Sequence, residues 1–179
     1  RQSNCNADPP RSKHGIFDVH ATWDVYQNWG HFDYTFTVIR DPLERFRSEL
    51  LHLTGDANHA KKIIDFFGYK KFEDVKNRWN IKDDHLLEFL RITNEQPRWI
   101  DNHVRPQCDF IKPNSNIEIF LFPHSIKDVP KVLSTKFGIP VGRVPHRKRS
   151  RAMDKPAFSE TQAKIIRQFY QEDYERFFV

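Results

Sequence analysis

No run of apolar residues in this sequence approaches the roughly 20 that a membrane-spanning helix needs, so nothing in it reads as a span. Cysteine is scarce. Cys5 and Cys108 can form at most one disulfide, which excludes a disulfide scaffold and leaves two free thiols as the simpler reading. Metal-site spacing is missing as well: nine histidines are present, but no two stand four apart and no H-E-x-x-H occurs. No metal is expected. The G-x-S-x-G turn of serine hydrolases is also absent.

What is present is aromatic and basic. Although hydrophobic residues make up only 38%, 16 Phe, 5 Tyr and 4 Trp supply large core pieces for the 179 residues. A chain of that length fills one domain and buries roughly 70% of its unfolded surface. The balance of 29 Lys and Arg against 24 Asp and Glu leaves +5, which favours anionic partners without naming them.

Residues 1–12 are polar and Pro-bearing and read as an arm, with a single ordered domain over 13–179. Gly15 to His20 is a candidate short strand. Thr35 to Ile39 (TFTVI) is a β-branched and aromatic run that suits a buried parallel strand. A helix follows at once, because Asp41 is a good N-cap, Pro42 suits the first helical position and Glu44 completes a D-x-x-E capping box. Leu43, Phe46, Leu50 and Leu53 stripe its inner face, and Gly55 ends it. Helices are expected over 58–67, 72–79 and 83–92. Ile117 to Phe122 (IEIFLF) predicts a second strand, followed by a helix near 126–137 that stops at Gly138. Ser159 and Gln162 form an S-x-x-Q box that opens one final long helix striped by Ile166, Phe169, Tyr170 and Phe177. Strands alternating with helices predict an α/β fold with a mainly parallel sheet flanked by helices.

At the first strand-to-helix turn, the places usually held by an apolar staple carry Arg40 and Arg45. Two guanidinium groups beside the positive end of a helix repel unless an anion or the carboxylates of Asp41 and Glu44 offset them. Ser48 lies three residues beyond Arg45 on the same helical side. Arg40, Arg45 and Ser48 therefore form a candidate phosphate cradle, the alternative being two arginines paired with nearby carboxylates and a solvated serine.

The segment TFTVIRDPLERFRSEL, with its R-D-P-x-x-R-x-x-S, resembles the 3′-phosphate-binding motif of the Golgi membrane-type carbohydrate sulfotransferases and their bacterial relatives. HVRPQCDFI (103–111) is similar to that family's H-x-R-P-Q segment, and IEIFLFPHSIKDVPKVL to its later strand and helix. HRKRS (146–150) resembles the segment before its last helix, and YQEDYERF (170–177) its Y-x-x-D-x-x-x-F ending. The resemblance implies a P-loop-NTPase-like sulfotransferase fold. It also implies a donor, 3′-phosphoadenosine 5′-phosphosulfate, and a product, adenosine 3′,5′-bisphosphate, whose 3′-phosphate Arg40 and Ser48 would hold with Arg45 in support. The acceptor it implies is a hydroxyl, of a carbohydrate first of all. The family's phosphosulfate loop has no counterpart here, since neither G-x-x-x-x-G-K nor K-x-G-x-[ST] occurs. The expectation is that this loop belongs ahead of Arg1, and that the 179 residues alone transfer little or no sulfate. Bacterial relatives would be cytosolic and eukaryotic ones in the Golgi lumen, which leaves the compartment open.

Sulfuryl transfer needs a base, and histidine titrates near neutrality. His20, twenty residues before Arg40, is the candidate, with His14 in reserve; the alternative is a structural histidine at a strand end. His103, Arg105 and Gln107, near Trp99 and Asn102, are candidates for lining a sugar site, or else belong to a loop that Arg105 and Gln107 tie down. Arg147, Lys148 and Ser150 are candidates for contacting the cofactor phosphates, although such runs are commonly solvated patches. Two other functions fit the composition: a non-catalytic polyanion or nucleic-acid binder, and a P-loop kinase relative. Nucleic acid is the less expected partner.

Overall fold

A computed structural model describes residues 34–55, 57–68, 81–96, 102–113, 115–138, 140–142 and 156–179. The expected strand at 15–20 and helix at 72–79 lie outside these residues. Within them the protein is mixed: mostly helix, with a two-stranded parallel sheet.

β1 (Phe36–Arg40) and β2 (Glu118–Phe122) pair in parallel register, Phe36 with Glu118 and Arg40 with Phe122. Each strand runs into a helix at the same end of the sheet: β1 into α1 (Pro42–Gly55), and β2 through a 3-10 turn (Ile126–Asp128) into α4 (Val129–Phe137). In between lie α2 (Ala57–Phe67) and α3 (Asp83–Glu95). The limits of α1 match the capping and Gly55 signals, and Gly138 ends α4 in the left-handed conformation at φ 64°.

The C-terminal segment differs from expectation. The Ser159 and Gln162 box forms, each side chain bonding the other residue's backbone at 3.1 Å. What it opens is two helices, α5 (Glu160–Phe169) and α6 (Gln171–Phe177), separated at Tyr170. No Gly or Pro marks this break. Tyr170 is buried, and its hydroxyl donates to the Val104 carbonyl, a tertiary bond with no local sequence signal.

α1 packs on α2 and α5, and α3 on α5, burying Leu43, Phe46, Leu50 and Leu53 with Ile63, Leu86, Phe89, Ile166 and Tyr170. Phe46 and Phe89 are essentially inaccessible, so truncating either to Ala costs about 3 to 5 kcal/mol. A smaller cluster of Ile39, Cys108, Ile111 and Phe177 lies against one face of the sheet. On the other face Phe36 meets Phe120 edge-on, and the Arg40 guanidinium lies 5.4 Å over the Phe122 ring.

Backbone alternation along β1 decides what the edge away from β2 holds. The Thr35 carbonyl accepts from Glu118 N–H at 3.0 Å, so Phe36, Val38 and Arg40 turn their main-chain groups away from β2. At Arg40 the Gln107 side-chain amide fills that edge. It accepts from Arg40 N–H at 3.0 Å and donates to Arg40 C=O at 2.8 Å, as a neighbouring strand would.

Candidate functional site

In open α/β sheets, ligands collect beyond the carboxyl ends of parallel strands. Here that end is the turn Arg40–Asp41–Pro42. The Asp41 carboxylate caps α1 by accepting Glu44 N–H at 2.9 Å, and its other oxygen accepts the Tyr174 hydroxyl at 3.2 Å. The same Tyr174 oxygen accepts Leu43 N–H at 3.3 Å. With Pro42 lacking an N–H, the first donors of α1 are thus already used. An anion at this turn would be held by side chains, aided by the helix dipole, and not by a cradle of backbone amides.

Two side chains are suited to that role. Arg40 forms no hydrogen bond or ion pair through its guanidinium among the described residues; its neighbour there is the Phe122 ring. The nearby carboxylates are engaged elsewhere, Glu44 with Arg47 at 2.7 Å and Asp41 as above. The arrangement in which both arginines pair with adjacent acids is therefore not the one formed. Ser48 has a buried hydroxyl oxygen with no hydrogen-bond partner, and such groups ordinarily have one.

Arg45 has a different environment. One terminal nitrogen donates to the His103 carbonyl at 2.8 Å, the other to the Arg105 carbonyl, and the guanidinium lies over the Tyr170 ring. Only its buried Nε lacks a partner. No hydrogen bond or ion pair joins Arg40, Arg45 and Ser48 directly. What Arg45 braces is the 103–105 turn, against the face of α1 that also carries Ser48, Glu49 and His52.

The HVRPQCDFI segment is held from several sides. Asp173, fully buried, accepts Gln107 N–H at 2.8 Å and Cys108 N–H at 2.7 Å, which caps the 3-10 turn Gln107–Phe110. Tyr170 takes the Val104 carbonyl, and Phe177 packs with Cys108 and Ile111. Tyr170, Asp173 and Phe177, spaced for one helical side, thus all grip the same segment. Arg105 pairs with Asp109 at 3.0 Å and lies over Phe110. Gln107 and Arg105 therefore tie this loop down. His103 is placed differently: its Nδ1 lies 3.6 Å from Glu49 Oε1, and its ring meets that of His52 edge-on.

Cys108 is a free thiol, and burial, followed by the charge of Asp173, pushes it well above its ordinary range. Burial, followed by the charge of Asp41, moves the Tyr174 phenol up to about 12. Its hydroxyl stays a donor to Asp41 throughout the physiological range. Among the described residues no group of acidic, histidine or cysteine side chains is arranged for a metal ion, and no helix is long and apolar enough to cross a membrane.

His14, His20, Trp99, Arg147, Lys148 and Ser150 lie outside the described residues, as does Cys5. Sequence reasoning gave no role to Tyr174, Glu49 or Asp173, although Asp173 is the acid of the Y-x-x-D-x-x-x-F ending. A signal for Glu49 existed, since it stands between Phe46 and Leu53 at helical spacing, on the border of the apolar stripe, where a carboxylate is out of place. The chain matches no family model, no curated protein and no solved structure.

Proposed function

We propose that this chain is the nucleotide-holding part of a sulfotransferase that moves a sulfuryl group from 3′-phosphoadenosine 5′-phosphosulfate to a hydroxyl, on a carbohydrate acceptor. The observation that carries the reading is Arg40. A cation without a carboxylate partner among the described residues ends a parallel strand beside the positive end of α1, about two turns ahead of an unpartnered Ser48 hydroxyl. The turn is also the R-D-P-x-x-R-x-x-S segment. That set of donors suits a phosphate monoester, which offers two negative charges and several acceptor oxygens.

In this reading Arg40 and Ser48 hold the 3′-phosphate, and Arg45 keeps the 103–105 turn in register with them. Arg147, Lys148 and Ser150 are assigned to the remaining phosphates, and His103, Arg105 and Gln107 to the acceptor side. The last two act through loop geometry, because their side chains are engaged within the protein. The sulfuryl donor supplies the activated sulfur. The protein orients it, excludes water and provides a base, for which the sequence candidate is His20.

Calorimetric titration with adenosine 3′,5′-bisphosphate, and with adenosine 5′-monophosphate as control, tests this. The bisphosphate binds more tightly, and Arg40→Ala lowers its affinity about ten- to a hundredfold while leaving the monophosphate nearly unchanged. Equal affinity for the two nucleotides overturns the reading. Binding to polynucleotides that falls steeply with salt and is not competed by the bisphosphate marks a polyanion binder instead.

A further inference from the structure

One face of α1 carries Arg45, Ser48, Glu49 and His52, and all but Ser48 reach the turn that holds His103. Arg45 binds the His103 carbonyl at 2.8 Å, Glu49 Oε1 stands 3.6 Å from His103 Nδ1, and the His52 ring stands 5.8 Å away. Glu49 is buried, at 8% exposure. His103 Nδ1 is sealed from solvent although 31% of the side chain is accessible, so the exposure falls on the rest of the side chain, away from the edge facing Glu49.

A buried carboxylate beside one ring nitrogen is the arrangement that fixes a histidine tautomer. With the proton on Nδ1, toward the carboxylate, Nε2 is left as the acceptor. A carboxylate at ion-pair range also favours the imidazolium, which raises the basicity of the ring. Such contacts are often long in the unliganded protein and tighten when the site fills. Among the described residues, the other charged or titratable groups around His103 are His52 and Arg45 on α1, Arg105 on its own segment, and Tyr170, which holds the neighbouring Val104 carbonyl.

We infer that His103 is the general base of the transfer and that Glu49 positions it, an assignment that rests on the sulfotransferase reading above. His103 takes the acceptor hydroxyl proton on Nε2 while the acceptor oxygen bonds to sulfur. The bond between sulfur and the 5′-phosphate oxygen breaks, and its electron pair leaves with adenosine 3′,5′-bisphosphate. Glu49 stabilises the imidazolium until its proton passes to solvent. Ser48 on the nucleotide and Glu49 on the base are consecutive residues, so a single turn of α1 sets the distance between donor and base. This moves the proton transfer from His20 to His103, and the two assignments predict different outcomes.

The test uses His103→Asn and Glu49→Gln, with bisphosphate titration, sulfate transfer and NMR titration of the histidine rings. His103→Asn binds the bisphosphate normally and loses turnover by about a hundredfold or more. In Glu49→Gln the His103 ring titrates at lower pH than in the wild type. Because the neutral ring is the active form, the acidic limb of the turnover profile moves down with it. Full turnover in His103→Asn overturns the base while leaving the sulfotransferase reading intact. An unchanged ring titration in Glu49→Gln overturns the positioning role. Wild-type protein that neither binds the bisphosphate nor transfers sulfate overturns both the reading and the base.

Discussion

The two strand-to-helix turns at the same end of the sheet are built in opposite ways. After β2, Ser125 ties back to Leu121 through the hydroxyl and the main chain, four residues away, and α4 begins without a side-chain cap. After β1, Tyr174 bonds Asp41 and Leu43, and Gln107 bonds the Arg40 backbone, from 133, 131 and 67 residues away. The first turn carries Arg40, whose guanidinium lies over the Phe122 ring, and the second carries Lys127, exposed to solvent. Binding residues are held more closely when several distant segments constrain them, and preorganisation of that kind is what a ligand site needs. The difference teaches that the conspicuous RDP turn depends on the C-terminal helices as much as on its own residues.

The sharpest way to break this contrast is Asp173→Ala. It leaves the buried Gln107 and Cys108 N–H groups without an acceptor, and hydrogen bonds to a charged group are worth about 1.5 to 3 kcal/mol each. A loss of about 3 kcal/mol or more in chemical denaturation is expected, together with weakened bisphosphate binding, although Asp173 lies in another part of the sequence. Tyr174→Phe removes one hydroxyl that serves both Asp41 and Leu43 and costs about 1 kcal/mol, again with a drop in bisphosphate affinity. Ser125→Ala, in the other turn, costs about 0.5 to 1 kcal/mol and leaves affinity unchanged. If the Ser125 variant weakened binding as much as the Tyr174 variant, the two turns would be equivalent and the contrast wrong.

Alkaline titration sharpens the same comparison. The folded Tyr174 phenol ionises near 12 and the unfolded one near 10. Between those values the unfolded state binds fewer protons, so this contribution to stability is complete below about pH 10 and is lost as pH rises toward 12. Tyr174→Phe flattens that part of the stability profile, and Tyr absorbance shows one fewer late-titrating phenol.

Both strands, α1 and the Arg40 turn were legible because each depends on local chemistry: β-branched alternation, an aspartate cap, a proline in the first turn and a terminal glycine. The break at Tyr170 was not, because no helix-breaking residue marks it and the bond its hydroxyl makes to Val104 is tertiary. Gln107 as a substitute strand neighbour was hidden for the same reason, since a side-chain amide bonding a main chain 67 residues away has no sequence periodicity. Of the site itself, Arg40 and Ser48 were visible as residue types at a spacing. The loop-bracing role of Arg45 required the 103–105 turn to be in place. Glu49 was visible in principle, as a charge bordering the apolar stripe, but its partner His103 belongs to a segment that only the tertiary fold brings near.

The Tyr174 bridge also dictates the order in which the protein can be finished during synthesis. Ribosomes add about 5 to 20 residues per second, and Tyr174 follows Asp41 by 133 residues. The nascent RDP turn therefore waits on the order of 10 s for the hydroxyl that completes it. Until then Arg40 is displayed on an unfinished helix start, and an early-bound nucleotide or a chaperone contact would meet a turn that is still being assembled.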